Sequence, residues 1–283
     1  MSGDVVRPFR WDVRQRSQLG TLAHVEPPET YDGFEDDLLE CAARVLAFAG
    51  DSELVFIGRS PQPLFDLLSG LLIGTSWGDR LRLLNISLRH VRPPNRAQLQ
   101  AVYPYFDEVG LEPHELARSP RTVALVDVVD TGGTLGSLFG LLEERTNLEQ
   151  AEWRAVARKL RIVGVTWREP TSPNAWRWQQ HAEWVDRLRP YDIKNVSAPT
   201  RLATYLADEV PKTNYSFTPP WWGDEAVLTP VRDDEARLAL ALAVHLFDLG
   251  SNWWTRREFA RALTEQPAMF ESWFRSLVLE IKR

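Results

Sequence analysis

The 283-residue chain is poor in cysteine and lysine, and it lacks long apolar runs. Its single cysteine, Cys41, cannot form an intrachain disulfide, which favours a reducing compartment, so we expect a cytoplasmic protein. No apolar stretch approaches the roughly 18 residues that a membrane-spanning helix needs, so no membrane partner is expected. The first residues lack a basic region followed by an apolar core, and no signal peptide is predicted.

The charge balance argues against nucleic acid as a partner. With a net charge of −6, the chain has no general electrostatic attraction to nucleic acid. Basic residues are overwhelmingly arginine, and lysine occurs only at positions 159, 194, 212 and 282. The composition is otherwise globular, and the length suits one large domain, alone or with an appendage. Tryptophan is unusually frequent, with twelve residues concentrated in the second half of the chain.

The most informative stretch begins with an apolar, β-branched run over residues 121–129, which is typical of a buried parallel strand. It continues as Asp-Thr-Gly-Gly-Thr over residues 130–134 and then takes up helical spacing. A strand, a turn of small residues and a helix N-terminus form a phosphate-binding geometry, because the turn offers unpaired N–H groups and the helix dipole adds partial positive charge. Asp127 and Asp130 lie beside this turn, which suits a ligand that also carries polyol hydroxyls or a metal. The alternative is an ordinary strand-to-helix turn that binds nothing.

Strand-like and helical patterns alternate along much of the chain. This alternation predicts the α/β class, with a doubly wound parallel sheet. Residues 1–30 are interpreted as an N-terminal arm or cap, and residues 31–212 as the α/β domain. Residues 213–283 are interpreted as a packed, proline- and tryptophan-rich linker followed by a helical extension. Within the α/β domain, one helix is predicted over 149–160 and an aromatic-rich helix over 174–188.

Residues 126–134, with the sequence Val-Asp-Val-Val-Asp-Thr-Gly-Gly-Thr, resemble the ribose-phosphate binding signature of the type I phosphoribosyltransferases. That signature consists of an apolar strand, two adjacent acids, two apolar residues, one variable residue and then Thr-Gly-x-Thr. The match departs from the pattern at Val126, which stands where the first of the adjacent acids is found. The resemblance implies a phosphoribosyltransferase-like sheet that binds phosphoribosyl pyrophosphate with Mg²⁺.

The resemblance also implies roles for individual residues. Asp127 would contact the ribose hydroxyls, directly or through Mg²⁺. Asp130 would act as the catalytic base towards the acceptor, a position that carries an acid in purine-type members. Asp130 could also serve as a helix N-cap, alone or in addition to that role. The 5′-phosphate would be bound by the four turn residues Thr131, Gly132, Gly133 and Thr134.

A loop earlier in the chain is implied to hold pyrophosphate. Gly58, Arg59 and Ser60 follow the first predicted strand, where family members bind pyrophosphate through backbone N–H groups. The Arg59 guanidinium could contact two phosphate oxygens at once. Pro61 and Pro63 remove N–H donors from this region, and a plain strand-to-helix turn is the alternative.

Other polar and aromatic residues are less informative. Arg89, His90 and Arg92 lie where the family often has a mobile loop over the reacting centre, and a solvated surface loop is the alternative. The remaining histidines show no shared spacing that indicates a metal site or a catalytic triad. The tryptophans at 176, 178 and 184 are interpreted as core or interface residues, while the pairs at 221–222 and 253–254 could fasten the extension to the sheet domain or help to cover the acceptor base.

Three functions fit these features. The first is a pentosyltransferase that displaces pyrophosphate from phosphoribosyl pyrophosphate in favour of an acceptor, with a purine-like base suggested by Asp130. The second is a non-catalytic sensor of the sugar phosphate or a nucleotide, which Val126 favours. The third runs the transfer in reverse and consumes a nucleotide. In each case the partner is a small phosphosugar or nucleotide, no nucleic acid is expected, and a homodimer stays open.

Overall fold

The computed structural model describes residues 5–89, 91–167, 178–189 and 192–283. In this part of the chain, five strands form one all-parallel sheet in the order β2-β1-β3-β4-β5. The strands are β1 (Ser52–Ile57), β2 (Leu81–Leu84), β3 (Thr122–Val128), β4 (Leu160–Trp167) and β5 (Ile193–Ala198).

Helices cover both faces of this sheet. In chain order they are α1 (Arg16–Leu19), α2 (Phe34–Ala49), α3 (Gln62–Leu71), α4 (Arg96–Glu108), α5 (Pro113–Arg118), α6 (Gly133–Leu148), α7 (Trp153–Ala157), α8 (Thr200–Thr204), α9 (Asp234–Ser251), α10 (Trp253–Thr264) and α11 (Ser272–Ile281). Buried residues of α2, α3 and α8–α11 form the core on one face, and those of α4–α7 form the core on the other. The predicted α/β class with a doubly wound parallel sheet is confirmed.

Burial on both faces explains why the centre of β3, residues 123–126, is an uninterrupted apolar run. Successive side chains of a strand point to opposite faces, so a strand covered on both sides needs apolar residues at every position. Ala124 and Val126 lie in the core with α2 and α3, whereas Val123 and Leu125 lie in the core with α4 and α6.

The strand order reverses between β1 and β3. From β1 the chain crosses to β2 on one side, and from β3 it crosses to β4 and β5 on the other. Ligands of open parallel sheets bind outside the carboxyl ends of the strands at such a reversal. The two loops that the sequence analysis selects follow these two strands.

Two elements differ from their predictions. The helix predicted over 149–160 is reduced to α7, because Gln150 adopts a left-handed φ of +57° and Leu160 already pairs with Val123 in the sheet. The aromatic-rich helix predicted over 174–188 is wrong in its described part, which forms two short 3-10 turns at Trp178–Gln180 and Glu183–Arg187. Residues 174–177, including Trp176, lie outside the described residues.

The C-terminal helices pack directly on the sheet domain. Helices α3 and α9 approach so closely at Gly70 and Gly250 that a Cβ on either residue would overlap the backbone of the other helix. A parallel stack of Trp77 and Trp273, with ring centroids 5.2 Å apart, adds a second contact. The boundary at residues 212 and 213 stays a prediction, while the extension shares the apolar core of one face of the sheet.

No helix in the described ranges is long and apolar enough to cross a membrane.

Alanine at Gly70 or Gly250 should lower the free energy of unfolding by about 1–3 kcal/mol, because the added methyl group forces α3 and α9 apart. Urea denaturation of the variants measures this loss. Gly140→Ala is the matched control, since Gly140 lies in α6 with open space around its Cα and should gain about 0.5–1 kcal/mol. Equal stabilities of the Gly70→Ala and Gly140→Ala variants would contradict the close helix crossing.

Candidate functional site

A cleft of about 590 Å³ opens at the carboxyl ends of β1 and β3. It brings together residues of both loops that the sequence analysis selects, which are separated by about seventy positions in the chain. The predicted site residues that line it are Gly58, Arg59, Ser60, Asp127, Asp130, Thr131, Gly132, Gly133 and Thr134. Two further cavities, of about 480 and 640 Å³, lie beside the N-terminal arm, and neither is lined by these residues.

The turn after β3 presents the N-terminus of a 16-residue helix to the cleft. Gly132 is the N-cap of α6 and adopts a left-handed φ of +77°, and no side chain caps the helix. The first turn of α6 also carries no acidic residue. The backbone N–H groups at this helix start are therefore available to an anion. Since the cap is Gly132, the alternative role of Asp130 as N-cap is wrong.

Trp178 packs against this turn at Gly132. A Cβ on Gly132 would lie 2.5 Å from the indole ring of Trp178, and one on Gly136 would lie 2.6 Å from Trp184. The Trp178 indole N–H donates a hydrogen bond of 2.8 Å to Asn195 Oδ1. Trp178 is buried, and its ring stacks on Trp184 at a centroid distance of 5.8 Å. For these two tryptophans, the predicted packing role is confirmed.

The two acids of the motif lie in different environments. Asp127 is only 7% exposed, whereas Asp130 is exposed at the cleft surface. Burial raises the pKa of the Asp127 carboxyl well above its ordinary value, and a hydrogen bond from the Val128 N–H opposes this shift. Among the described residues, no cation lies within ion-pair distance of Asp127. The cleft thus contains a buried carboxyl group that no described residue pairs with a positive charge.

Val126 is fully buried in the apolar core with α2 and α3. Its neighbour Asp127 points to the opposite face of β3, since successive side chains alternate. An acid at position 126 would have to be accommodated in this apolar layer. The departure from the family pattern therefore leaves one carboxylate, Asp127, at the end of the strand.

The loop after β1 offers backbone donors and a guanidinium that already makes two hydrogen bonds. Gly58 has a φ of +75° and donates its N–H to Leu84 O at 2.8 Å. The N–H groups of Arg59 and Ser60 have no acceptor within the described ranges. The Arg59 guanidinium donates to Asn214 O at 3.0 Å and to Ser216 Oγ at 2.7 Å, so its side chain is held against a later segment of the chain.

That later segment forms a wall of the cleft which the sequence analysis missed. Lys212, Ser216 and Thr218 line the cleft, together with Trp167 and Asp208. The predicted packing linker from residue 213 onward thus contributes directly to the site. The scarcity of lysine was the one sequence signal available, because Lys212 is one of only four lysines in the chain.

The segment is anchored at its buried residue Asn214. The Asn214 side chain accepts a hydrogen bond of 2.6 Å from Asn85 Nδ2 and donates one of 3.2 Å to Phe9 O. Further along, the Ser87 N–H donates to Phe217 O at 3.0 Å. These bonds tie the segment to the end of β2 and to the N-terminal arm.

Of the other residues named from the sequence, only some line the cleft. Arg89 lines it, His90 lies outside the described residues, and Arg92 is exposed and does not line it. Trp222 is buried and packs on the sheet domain, whereas Trp253 and Trp254 are exposed on the extension. None of these tryptophans covers the cleft.

One acidic cluster is separate from the cleft. Ligand atoms of Glu112, His114 and Glu149 lie within 4.8 Å of one another, and His114 Nε2 already lies 3.1 Å from Glu149 O. This cluster does not line the cleft and is not evidence for Mg²⁺.

Comparisons of the chain with protein-family models, with curated proteins and with solved structures found no match.

Gly132→Ala should lower the free energy of unfolding by about 2 kcal/mol or more, because it combines left-handed backbone strain with a clash against Trp178. Gly133→Ala is the matched control, because the nearest atom to its added Cβ is Thr131 Oγ1 at an ordinary 3.7 Å. Urea denaturation of both variants provides the comparison. Similar losses for the two variants would show that Trp178 does not restrict the turn.

Asp127→Asn should make the protein more stable than the wild type at pH 7. Because the pKa of Asp127 is raised on folding, the folded state binds more protons than the unfolded state above pH ~4. The wild type should therefore lose up to about 1.4 kcal/mol per pH unit from this group as pH rises towards the raised pKa. Denaturation series between pH 4 and 8 measure the difference, with the exposed Asp79→Asn as the control. A variant that is less stable than the wild type at pH 7 would refute the predicted penalty.

Proposed function

We propose that this chain is a type I phosphoribosyltransferase-like protein that binds phosphoribosyl pyrophosphate, or a nucleoside monophosphate, in the cleft at the ends of β1 and β3. One observation carries the proposal. The two loops with the signature-like sequences border the same cleft, with the buried Asp127 also lining it.

The arrangement of donors suits a sugar with phosphate groups at two positions. One set of N–H groups starts α6 after β3, and the N–H groups of Arg59 and Ser60 follow β1. Because β1 and β3 are neighbouring parallel strands, with strand axes about 4.8 Å apart, both sets face one ligand-sized space. The 5′-phosphate is assigned to Thr131–Thr134 and the pyrophosphate to Gly58–Ser60.

Asp127 is assigned to the ribose hydroxyls and to Mg²⁺. A buried carboxyl group with no cation beside it among the described residues suits a hard divalent cation or sugar hydroxyls, since Mg²⁺ prefers oxygen ligands and phosphates. When bound there, Mg²⁺ would neutralise negative charge on the pyrophosphate. The carboxylate itself would hold and orient the ribose.

The proposed reaction is a displacement at the anomeric carbon. The bond from this carbon to the pyrophosphate oxygen breaks, pyrophosphate leaves with the electron pair, and a bond to a nitrogen of the acceptor base forms. The proton released by that nitrogen is taken by the carboxylate of Asp130, which is exposed to the cleft. The chain's main contribution is positioning and stabilisation of charge in a transition state with oxocarbenium character. The same residues serve the reverse direction.

A sensor that binds the same ligand without turnover is the second candidate. Its support is Val126, whose complete burial in the apolar core leaves Asp127 without the adjacent acid of the family pattern. A single carboxylate at this position favours ligand binding over the full catalytic arrangement. Turnover of an acceptor base, which Asp130 indicates to be purine-like, separates the two candidates.

The test is calorimetric binding of phosphoribosyl pyrophosphate to the full chain with Mg²⁺, followed by assay of pyrophosphate release with candidate bases. Asp127→Asn should weaken binding at least tenfold, and Asp130→Ala should retain binding but lose pyrophosphate release. Asp79→Ala, which removes an exposed acid outside the cleft, should change neither property. Binding without turnover of any base would select the sensor. A wild-type protein that binds neither phosphoribosyl pyrophosphate nor a nucleoside monophosphate would refute both candidates.

A further inference from the structure

Two cations at the cleft lack carboxylate partners among the described residues. Arg59 donates to a backbone carbonyl and a hydroxyl, at Asn214 and Ser216. Lys212 Nζ makes one long hydrogen bond of 3.4 Å to Leu206 O. Neither group forms an ion pair within the described ranges. Two neighbouring cations without a direct counter-ion provide a location for an anion.

The position of Lys212 is set by contacts of its backbone and its neighbours. The Lys212 N–H donates to Glu235 Oε1 at 3.1 Å, near the start of α9. The adjacent Thr213 hydroxyl donates to Gln62 Oε1 at 3.1 Å, in the first turn of α3. The lysine side chain is thus presented to the cleft by a segment that is tied to two helices.

The charges around Lys212 come from three elements. Burial is the main factor that lowers the pKa of Lys212, to about 8, and the charge of Arg59 after β1 lowers it further. Glu235 on α9 and Asp208, in the π-helical turn Tyr205–Glu209 after α8, act in the opposite direction. Burial and the Arg59 charge together disfavour the ammonium form of Lys212 in the free protein. A phosphate-type anion between Lys212 and Arg59 would favour that form.

We propose that Lys212 and Arg59 form the subsite for the pyrophosphate end of the ligand, so that the segment over residues 212–218 supplies a cation to the reaction centre. This inference rests on the proposed function for the identity of the whole ligand. The subsite adjoins the N–H groups of Arg59 and Ser60, whereas the 5′-phosphate is assigned to the turn after β3. The ligand class is an inorganic or organic diphosphate.

The subsite has a consequence for pH. A bound diphosphate favours the charged ammonium, so binding is coupled to proton uptake by Lys212 when the free protein is partly deprotonated. Affinity should therefore fall as pH rises above about 8, where free Lys212 loses its proton. Arginine at this position would keep its charge throughout the range, because the guanidinium pKa is far higher.

Calorimetric titration of the full chain with inorganic pyrophosphate, from pH 6.5 to 9.5, tests the inference. Lys212→Met should weaken binding at least tenfold at pH 7, while Lys212→Arg should retain binding. The wild type should lose about tenfold more affinity than Lys212→Arg between pH 7.5 and 9.5, and this comparison removes the titration of pyrophosphate itself. Lys194→Met, at an exposed lysine of β5, is the matched control and should bind like the wild type.

The outcomes separate this inference from the proposed function. Equal pyrophosphate affinities of wild type and Lys212→Met, or equal pH profiles of wild type and Lys212→Arg, would overturn the subsite. If the wild type still binds phosphoribosyl pyrophosphate in that case, the proposed function stands. Conversely, Lys212-dependent binding of pyrophosphate by a protein that binds neither phosphoribosyl pyrophosphate nor a nucleoside monophosphate would support the subsite and refute the proposed function. Lys212→Arg preserves the test if Lys212→Met does not fold.

Discussion

The parallel pairing of β1 with β3 is the constraint on which the site depends. Its register, from Ser52 opposite Thr122 to Phe56 opposite Val126, brings two chain segments to the same edge of the sheet. Each strand is followed by a turn and a helix, α3 or α6, that begins at that edge. The pairing also coincides with the reversal of strand order, where ligands of open parallel sheets bind.

The turn at residues 130–134 depends on contacts with distant parts of the chain. Gly132 can adopt a left-handed conformation because it has no side chain. Trp178 fills the space that a side chain at this position would need. Trp178 is in turn oriented by Asn195 on β5. The shape of the turn after β3 therefore depends on the connection between β4 and β5 as well as on its own glycines.

The C-terminal part of the chain both packs on the sheet domain and forms part of the site. Close contact between α3 and α9 at Gly70 and Gly250 docks it on the sheet domain. The segment that leads into α9 then crosses the end of β2, where Asn214 contacts Asn85, Arg59 and Phe9. Packing on one face of the sheet thereby positions Lys212 and Ser216 at the cleft. An extension that resembles an appendage in sequence is part of the wall of the site.

Features that depend only on neighbouring residues could be predicted from the sequence. The apolar run of β3, the small-residue turn at 130–134 and the loop at 58–60 follow from local composition, and alternation of patterns was sufficient for the α/β class with a parallel sheet. Tertiary structure alone decided the rest, because it involves contacts between residues far apart in the chain. It turned the Arg59 side chain towards Asn214, buried Asp127 at the cleft and Val126 in the apolar core, and brought Lys212 into the cleft. In place of the predicted aromatic helix, Trp178 lies in a 3-10 turn and packs against Gly132. Burial of this large ring against a glycine outweighs the local helical spacing.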